Sequence, residues 1–155
     1  MGVFYLQRGY VRVYSLSREG EELTLIIFKS EDFFPYMWAI NATPNEYFVE
    51  AMTQVELWRA PREEFLGFIK VNSDVFFELI SKLIVRFGGL LHRMEYLVFG
   101  NAHNKVASII FICADRFGEK RDSNIFIPVP LTHKEIANLV GVTRETASIE
   151  LKKLE

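Results

Sequence analysis

LTHKEIANLVGVTRETASIELKKLE, Leu131 to Glu155, decides the fold of the C-terminal half. Thr132 is placed to cap a first helix that carries Ile136, Ala137, Leu139 and Val140 on its apolar side, and Gly141 supplies a tight turn. Thr143 opens a second helix. There Ala147, Leu151 and Leu154 fall at i, i+4 and i+7, which predicts one buried stripe and leaves Arg144, Glu145, Ser148, Ile149 and Lys152 facing away from the core.

Two short helices joined through a glycine turn form a helix-turn-helix, whose second helix enters a DNA major groove with its N-terminal residues at base edges. Ala137, four residues before Gly141, lets the helices approach closely, and Val140 and Val142 flank the turn. The plainer alternative is an ordinary helical hairpin. Thr143-Arg-Glu-Thr146 at the start of the second helix adds a second signature in favour of DNA. The candidate DNA-contacting set is therefore Thr132, His133, Thr143, Arg144, Glu145, Ser148, Ile149 and Lys152.

Bulk composition fits a compact chain: 155 residues, 50% hydrophobic, with a formal net charge of −2. No apolar run of about 18 residues and no charged leader precede or interrupt it, so neither a membrane span nor a signal peptide is indicated, and a cytoplasmic location is expected. Cys113 is the single cysteine. That excludes an intrachain disulfide, and its apolar surroundings from Ile109 to Ala114 predict a packed thiol. Within the helix-turn-helix Lys134, Arg144, Lys152 and Lys153 are offset by Glu135, Glu145, Glu150 and Glu155. Attraction to phosphates must then come from local placement and from doubling in a dimer.

Three segments follow from the patterning: residues 1–60 strand-like, 61–99 a linker and long helix, and 100–155 the helix-turn-helix region. Val11 to Tyr14 alternates, Arg18 to Glu22 reads as a hairpin turn, and Leu23 to Phe28 is a β-rich run. Tyr47 to Met52 and Val55 to Arg59 form a second apparent pair, and Pro61 is placed to begin a short helix through Lys70.

In the middle segment Phe76, Ile80, Leu83, Phe87, Leu90, Met94 and Leu97 are separated alternately by four and three residues, the spacing of a coiled-coil seam. A parallel row at Phe77, Ile84, Leu91 and Val98 widens the apolar face, so that one stripe can meet a partner helix while the other packs on the chain's own sheet. Gly88-Gly89 interrupts this pattern at about 1 kcal/mol per glycine relative to alanine. A single buried core helix is the alternative. Gly100-Asn101 marks a break, after which Ala102 to Phe117 reads as a further helix.

GVTRETASIELKKLE resembles the recognition helix of the Crp/Fnr family of bacterial transcription regulators, and IFIPVPLTHKEIANLV resembles the family's first helix-turn-helix helix with its lead-in strand. FYLQRGYVRVYSLSREGEELTLIIFKSEDFF resembles the family's β-roll sensor hairpins. The resemblance implies an α+β fold: a jelly-roll-like β-roll sensor, a long dimerisation helix through the Phe76–Leu97 seam, and a C-terminal winged-helix-type helix-turn-helix. It implies a homodimer on double-stranded DNA, with RNA polymerase as a further expected partner. Family members begin with further strands before the segment matching Phe4 and continue past the reader helix into a β-hairpin wing. A short variant or a fragment is expected here, with open sheet edges.

Cyclic-nucleotide-binding members of the family hold ribose with a Gly-Glu pair and the cyclic phosphate with a following Arg-Ser or Arg-Thr. The matching stretch here, Asp32 to Ala51, has Pro35-Tyr36 and Asn45-Glu46 at those places, and no arginine lies between Arg18 and Arg59. Cyclic nucleotide binding is not expected, and no other cofactor is indicated. Phe33, Phe34, Tyr36, Trp38, Tyr47 and Phe48 either fill a small β-roll core or line a pocket for an apolar or aromatic effector.

No enzyme is indicated. His92 and Glu95 stand at i, i+3 but lack a third metal ligand nearby, and His103 lies beyond the helix break. Glycine-rich phosphate loops, nucleophile elbows and paired-histidine motifs do not occur, and Ser148 has no partner histidine in its helix. A ligand-binding or dimerisation module without DNA binding remains the reading from another class.

Overall fold

The computed structural model describes residues 2–154. They form two compact units, one of residues 2–15 with 26–86 and one of residues 16–25 with 87–154. Packing thus divides the chain differently from the linear segments expected at residues 60 and 100. The reason is that two elements cross the division: a β-hairpin whose tip belongs to the second unit, and a 27-residue helix, about 40 Å long at 1.5 Å per residue and too long for one small core.

The first unit is built on strands β1 (Val3–Arg8), β2 (Val11–Leu16), β3 (Glu22–Phe28), β4 (Asp32–Phe34), β5 (Phe48–Ala51) and β6 (Glu56–Ala60). One antiparallel sheet has the order β4-β1-β6 and a second the order β3-β2-β5. Register in the first places Phe4 opposite Phe34 and Tyr5 opposite both Phe33 and Trp58. In the second, Val11 faces Ala51 and Tyr14 faces Phe48. Gly9 makes the β1–β2 turn at φ 95°, and a Cβ there would lie 2.4 Å from the Gln54 carbonyl oxygen, so only glycine fits.

Leu6, Val11, Phe28 and Phe34 form one buried cluster, with the rings of Phe28 and Phe34 stacked at 5.1 Å. Each such side chain contributes about 1.5–3 kcal/mol on burial. A second cluster, Val3, Ala39, Phe65, Ile69 and Leu79, is completed by Phe33, Tyr36, Trp38 and Leu66. Of the aromatic residues considered for an effector pocket, Phe33, Phe34, Tyr36 and Trp38 are therefore core material. Tyr47 and Phe48 stand exposed on and beside β5.

Helix α1 (Tyr36–Asn41) was not expected in a stretch read as strand-like. It is short and sustained by tertiary contacts: Ala39 is buried, and Arg62 donates from Nε to the Trp38 carbonyl at 3.1 Å and from Nη2 to that of Ile40 at 3.0 Å, satisfying the helix's terminal acceptors. Helix α2 (Arg62–Val71) starts one residue later than expected, with Pro61 as its N-cap.

Helix α3 (Ser73–Phe99) runs without interruption through Gly88 and Gly89. In the first unit its Arg86 forms an ion pair with Asp32, hydrogen-bonds the Tyr36 hydroxyl, and lies 5.2 Å from the Phe28 ring centre. Asp32 is buried and also accepts from the Lys29 amide at 2.9 Å. Burial raises the Tyr36 pKa above its ordinary value, an effect that the adjacent Arg86 opposes.

Exposure distinguishes the two apolar rows of α3. Phe77, Ile84 and Val98 are 71%, 65% and 69% exposed and Leu91 is also exposed, whereas Ile80, Leu83 and Leu97 of the expected seam are half-buried in the chain itself. Phe76, Phe87, Leu90 and Met94 of that seam are exposed. The outward apolar face is consequently shared between the two rows and centred nearer the second. No helix among the described residues is long and apolar enough to cross a membrane.

Candidate nucleic-acid interface

The second unit continues with α4 (Ala102–Phe117), the hairpin of β7 (Glu119–Arg121) and β8 (Asn124–Phe126), α5 (His133–Val140) and α6 (Arg144–Lys152). Asn101 caps α4 by accepting from the Asn104 amide at 2.9 Å, which is why the helix begins directly after the Gly100-Asn101 break. Of the segment read as a lead-in strand, only Ile125 and Phe126 are in a strand, as the end of β8, which pairs with β7 before it.

Thr132 and Glu135 form a capping box at the start of α5: the Glu135 amide donates to Thr132 Oγ1, and the Thr132 amide donates to the Glu135 carboxylate. Gly141 ends the helix in the left-handed conformation at φ 66° and ψ 45°, its amide bonded to the Ala137 carbonyl. Thr143 then caps α6 by accepting from the Thr146 amide at 3.2 Å. All three local signals read from the sequence act where they were placed.

Helix α4 packs against both α5 and α6. Val106, Ile109, Cys113 and Phe117 of α4 are buried, as are Ile136, Ala137, Leu139, Val140 and Ala147. Burial pushes the Cys113 thiol up to about 11 against the opposing influence of Arg116 and Arg93, so it is a packed, protonated thiol.

The inward stripe of α6 departs from the expected Ala147, Leu151, Leu154. Leu154 lies beyond the helix end, where Lys153 is the C-cap, and is 44% exposed. Glu150 turns inward instead, with Oε2 3.1 Å from His103 Nδ1 and Oε1 2.7 Å from Lys153 Nζ. No local pattern marks this residue, because the group that accepts its burial sits on another helix. The hydrogen bond from Lys153 holds the Glu150 carboxyl below its ordinary pKa; burial opposes this and His103 adds to it.

On the other side Arg144, Glu145, Ile149 and Lys152 are exposed and Ser148 is half-buried. Thr132, His133, Lys134 and Arg144 line one open cleft of about 500 Å³, which brings the amino ends of α5 and α6 together. Lys134 joins the expected set at this cleft. Cationic side chains beside two capped helix starts suit phosphate oxygens, and the outward turns of α6 carry one carboxylate, one guanidinium, one ammonium and one apolar side chain.

The residues standing for the cyclic-nucleotide cassette, Pro35-Tyr36 and Asn45-Glu46, lie at the start of α1 and shortly before β5. Asn45 donates its side-chain amide to the Tyr47 carbonyl at 2.8 Å, and Glu46 is exposed. Pro35 lacks an amide proton. Arg86, which reaches Tyr36, is already matched by Asp32. On α3, His92 Nδ1 and Glu95 Oε2 are 3.8 Å apart, and no three His, Cys, Asp or Glu among the described residues could hold a metal together.

A cyclic nucleotide-binding domain model matches residues 1–72, and a Crp-like helix-turn-helix domain model matches residues 104–155. The global nitrogen regulator of Synechocystis is 26% identical over 148 residues, which cover 94% of this chain and 66% of that protein. The cAMP-activated global transcriptional regulator CRP of Pasteurella multocida is 25% identical over 154 residues, covering 99% of this chain and 73% of that one. Among solved structures, a CooA mutant from Carboxydothermus hydrogenoformans has a TM-score of 0.78 at 28% identity, over 99% of this chain and 66% of its own. The chain spans 66% of the length of that nitrogen regulator. It belongs to the Crp/Fnr family of regulators.

Proposed function

We propose that this protein is a homodimeric, sequence-specific DNA-binding transcription regulator that reads a palindromic operator with α6. The observation that carries the reading is the outward face of α6, Arg144, Glu145, Ile149 and Lys152, presented beside the cleft at the amino ends of α5 and α6. The relatives named as a global nitrogen regulator and as a cAMP-activated global transcriptional regulator support it.

The exposed apolar face of α3 supports a two-fold partner. Phe77, Ile84, Leu91 and Val98 recur every seven residues, and a second copy would cover them together with Phe87 and Met94. A dimer also doubles the cationic contacts of a chain that is near neutral. RNA polymerase is the further partner that the family suggests.

The sensor responds to an effector other than cyclic AMP or cyclic GMP, or to none. Its support is chemical: burying a cyclic phosphate calls for a guanidinium or equivalent donors, and the cassette positions offer Pro35, Tyr36, Asn45 and Glu46.

Selection of bound sequences from a random DNA pool, followed by titration at several salt concentrations, tests the reading. Enrichment of a two-half-site sequence with salt-dependent affinity is expected. Recovery of no sequence, with dimerisation intact, would favour a dimerisation or ligand-binding module instead.

A further inference from the structure

The chain has three histidines, and their surroundings differ. His92 Nδ1 stands 3.8 Å from Glu95 Oε2 and His103 Nδ1 3.1 Å from Glu150 Oε2, so each already has a carboxylate beside it. His133, the first residue of α5, is exposed and makes no hydrogen bond or ion pair among the described residues. It lines the open cleft together with Thr132, Lys134 and Arg144.

The charged groups around this histidine are positive. Lys134 follows it on α5, and Arg144 reaches the cleft from the start of α6. Glu135, the acid in the first turn of α5, is turned back on the Thr132 amide at 3.2 Å within the capping box. Glu145 is exposed on α6 but does not line the cleft, and no residue of α4 lines it among the described residues. Residues 127–131, which lead into α5, carry no titratable side chain. A protonated His133 in the free chain therefore meets Lys134 and Arg144, whereas a phosphate entering the cleft supplies it with an opposite charge.

We propose that duplex DNA binds this chain with uptake of a proton at His133, so that affinity for the phosphate backbone rises as pH falls. The proposal rests on the DNA-binding reading above and adds a control by pH to it. Histidine is the side chain whose charge ordinarily changes between about pH 5 and pH 8. Once protonated it donates a charge-assisted hydrogen bond to a phosphate oxygen, roughly twice as strong as a neutral one. Because coupling between two ligands is reciprocal, DNA that favours the protonated ring is itself favoured by the proton, by the same factor. Phosphate contacts carry no base information, so the uptake accompanies binding to any sequence.

Binding of a duplex of arbitrary sequence to the full chain at low salt, from about pH 5.5 to about pH 8.5, tests the linkage. Affinity is expected to rise by on the order of 10-fold toward the acid end, with the salt dependence steepening by about one phosphate contact per protomer. His133→Gln should flatten the profile at the weaker level. His133→Arg should flatten it at the tighter level, since a guanidinium keeps its charge throughout. Both substitutions alter an exposed side chain, and melting temperature checks that the fold is kept. Calorimetric titration in buffers of different ionisation enthalpy should show proton uptake on binding in the unsubstituted protein and none in either His133 variant.

His103→Gln is the comparison that separates this linkage from the His103–Glu150 pair, and it should leave the profile as it is. A pH dependence that survives in His133→Gln overturns the proposal. A flat profile in the unsubstituted protein with duplex bound also overturns it, and leaves the DNA-binding reading standing. A chain that binds no duplex at any pH overturns that reading and the linkage with it.

Discussion

Nδ1 of His103 lies 3.1 Å from Oε2 of Glu150, which fastens the first turn of α4 to the inward face of α6. The carboxylate is completed by Lys153 at 2.7 Å. A buried acid is thus used to orient the helix that presents Arg144 and Glu145 outward.

That arrangement predicts a pH dependence. Glu150 has its folded pKa lowered from 4.5, first by the Lys153 hydrogen bond, so its stabilisation is complete above that value and is lost as pH falls through it toward the lower folded pKa. Glu150→Gln is expected to flatten the decline of melting temperature between about pH 5 and pH 3. Calorimetric melts across that range check it, and an unchanged slope would show that the acid sensitivity lies elsewhere.

Glu145 is expected to accept from a cytosine amino group, with Arg144 donating to guanine or phosphate and Ile149 against a thymine methyl. Glu145→Ala should lose about 1–3 kcal/mol of discrimination at one half-site position. Titration of operator variants reads this directly, and equal affinity of both proteins for every variant would discard the assignment.

Ile84→Asp should yield monomers with an intact fold, because Ile84 is 65% exposed and a charge there leaves the chain's own core untouched while opposing the proposed two-fold contact. Leu83→Asp should destabilise the monomer as well, since Leu83 is half-buried in its own chain. Sedimentation and melting of the two variants separate these outcomes. Binding to half-sites about 34 Å apart should be lost in both.

Cys113, buried with its thiol pushed up to about 11, should resist maleimide in the folded protein at neutral pH and react once the protein is denatured. Rapid labelling under native conditions would require α4 to open.

Calorimetric titration with millimolar cyclic AMP or cyclic GMP should show no saturable heat. A micromolar dissociation constant would overturn the sensor reading drawn from Pro35, Tyr36, Asn45 and Glu46.

What the sequence determined by itself is what acts over a few residues. Thr132 and Thr143 cap helices through amides three residues away, Gly141 ends α5 because it adopts a positive φ, and Asn101 starts α4 where the break was read. The double apolar row on α3 was equally legible from its period. Tertiary structure alone decided how these pieces are used. Helix α1 exists because Arg62 and the core receive it, and Ile80, Leu83 and Leu97 are half-buried while Phe77, Ile84 and Val98 face outward. Glu150 points inward because His103, 47 residues away, meets it, and Arg93 joins residues 24, 25 and 139, which no sequence window contains together. A cap or a turn is satisfied by near neighbours, whereas the burial of a charge or the choice between two apolar faces depends on which distant groups the fold brings within reach.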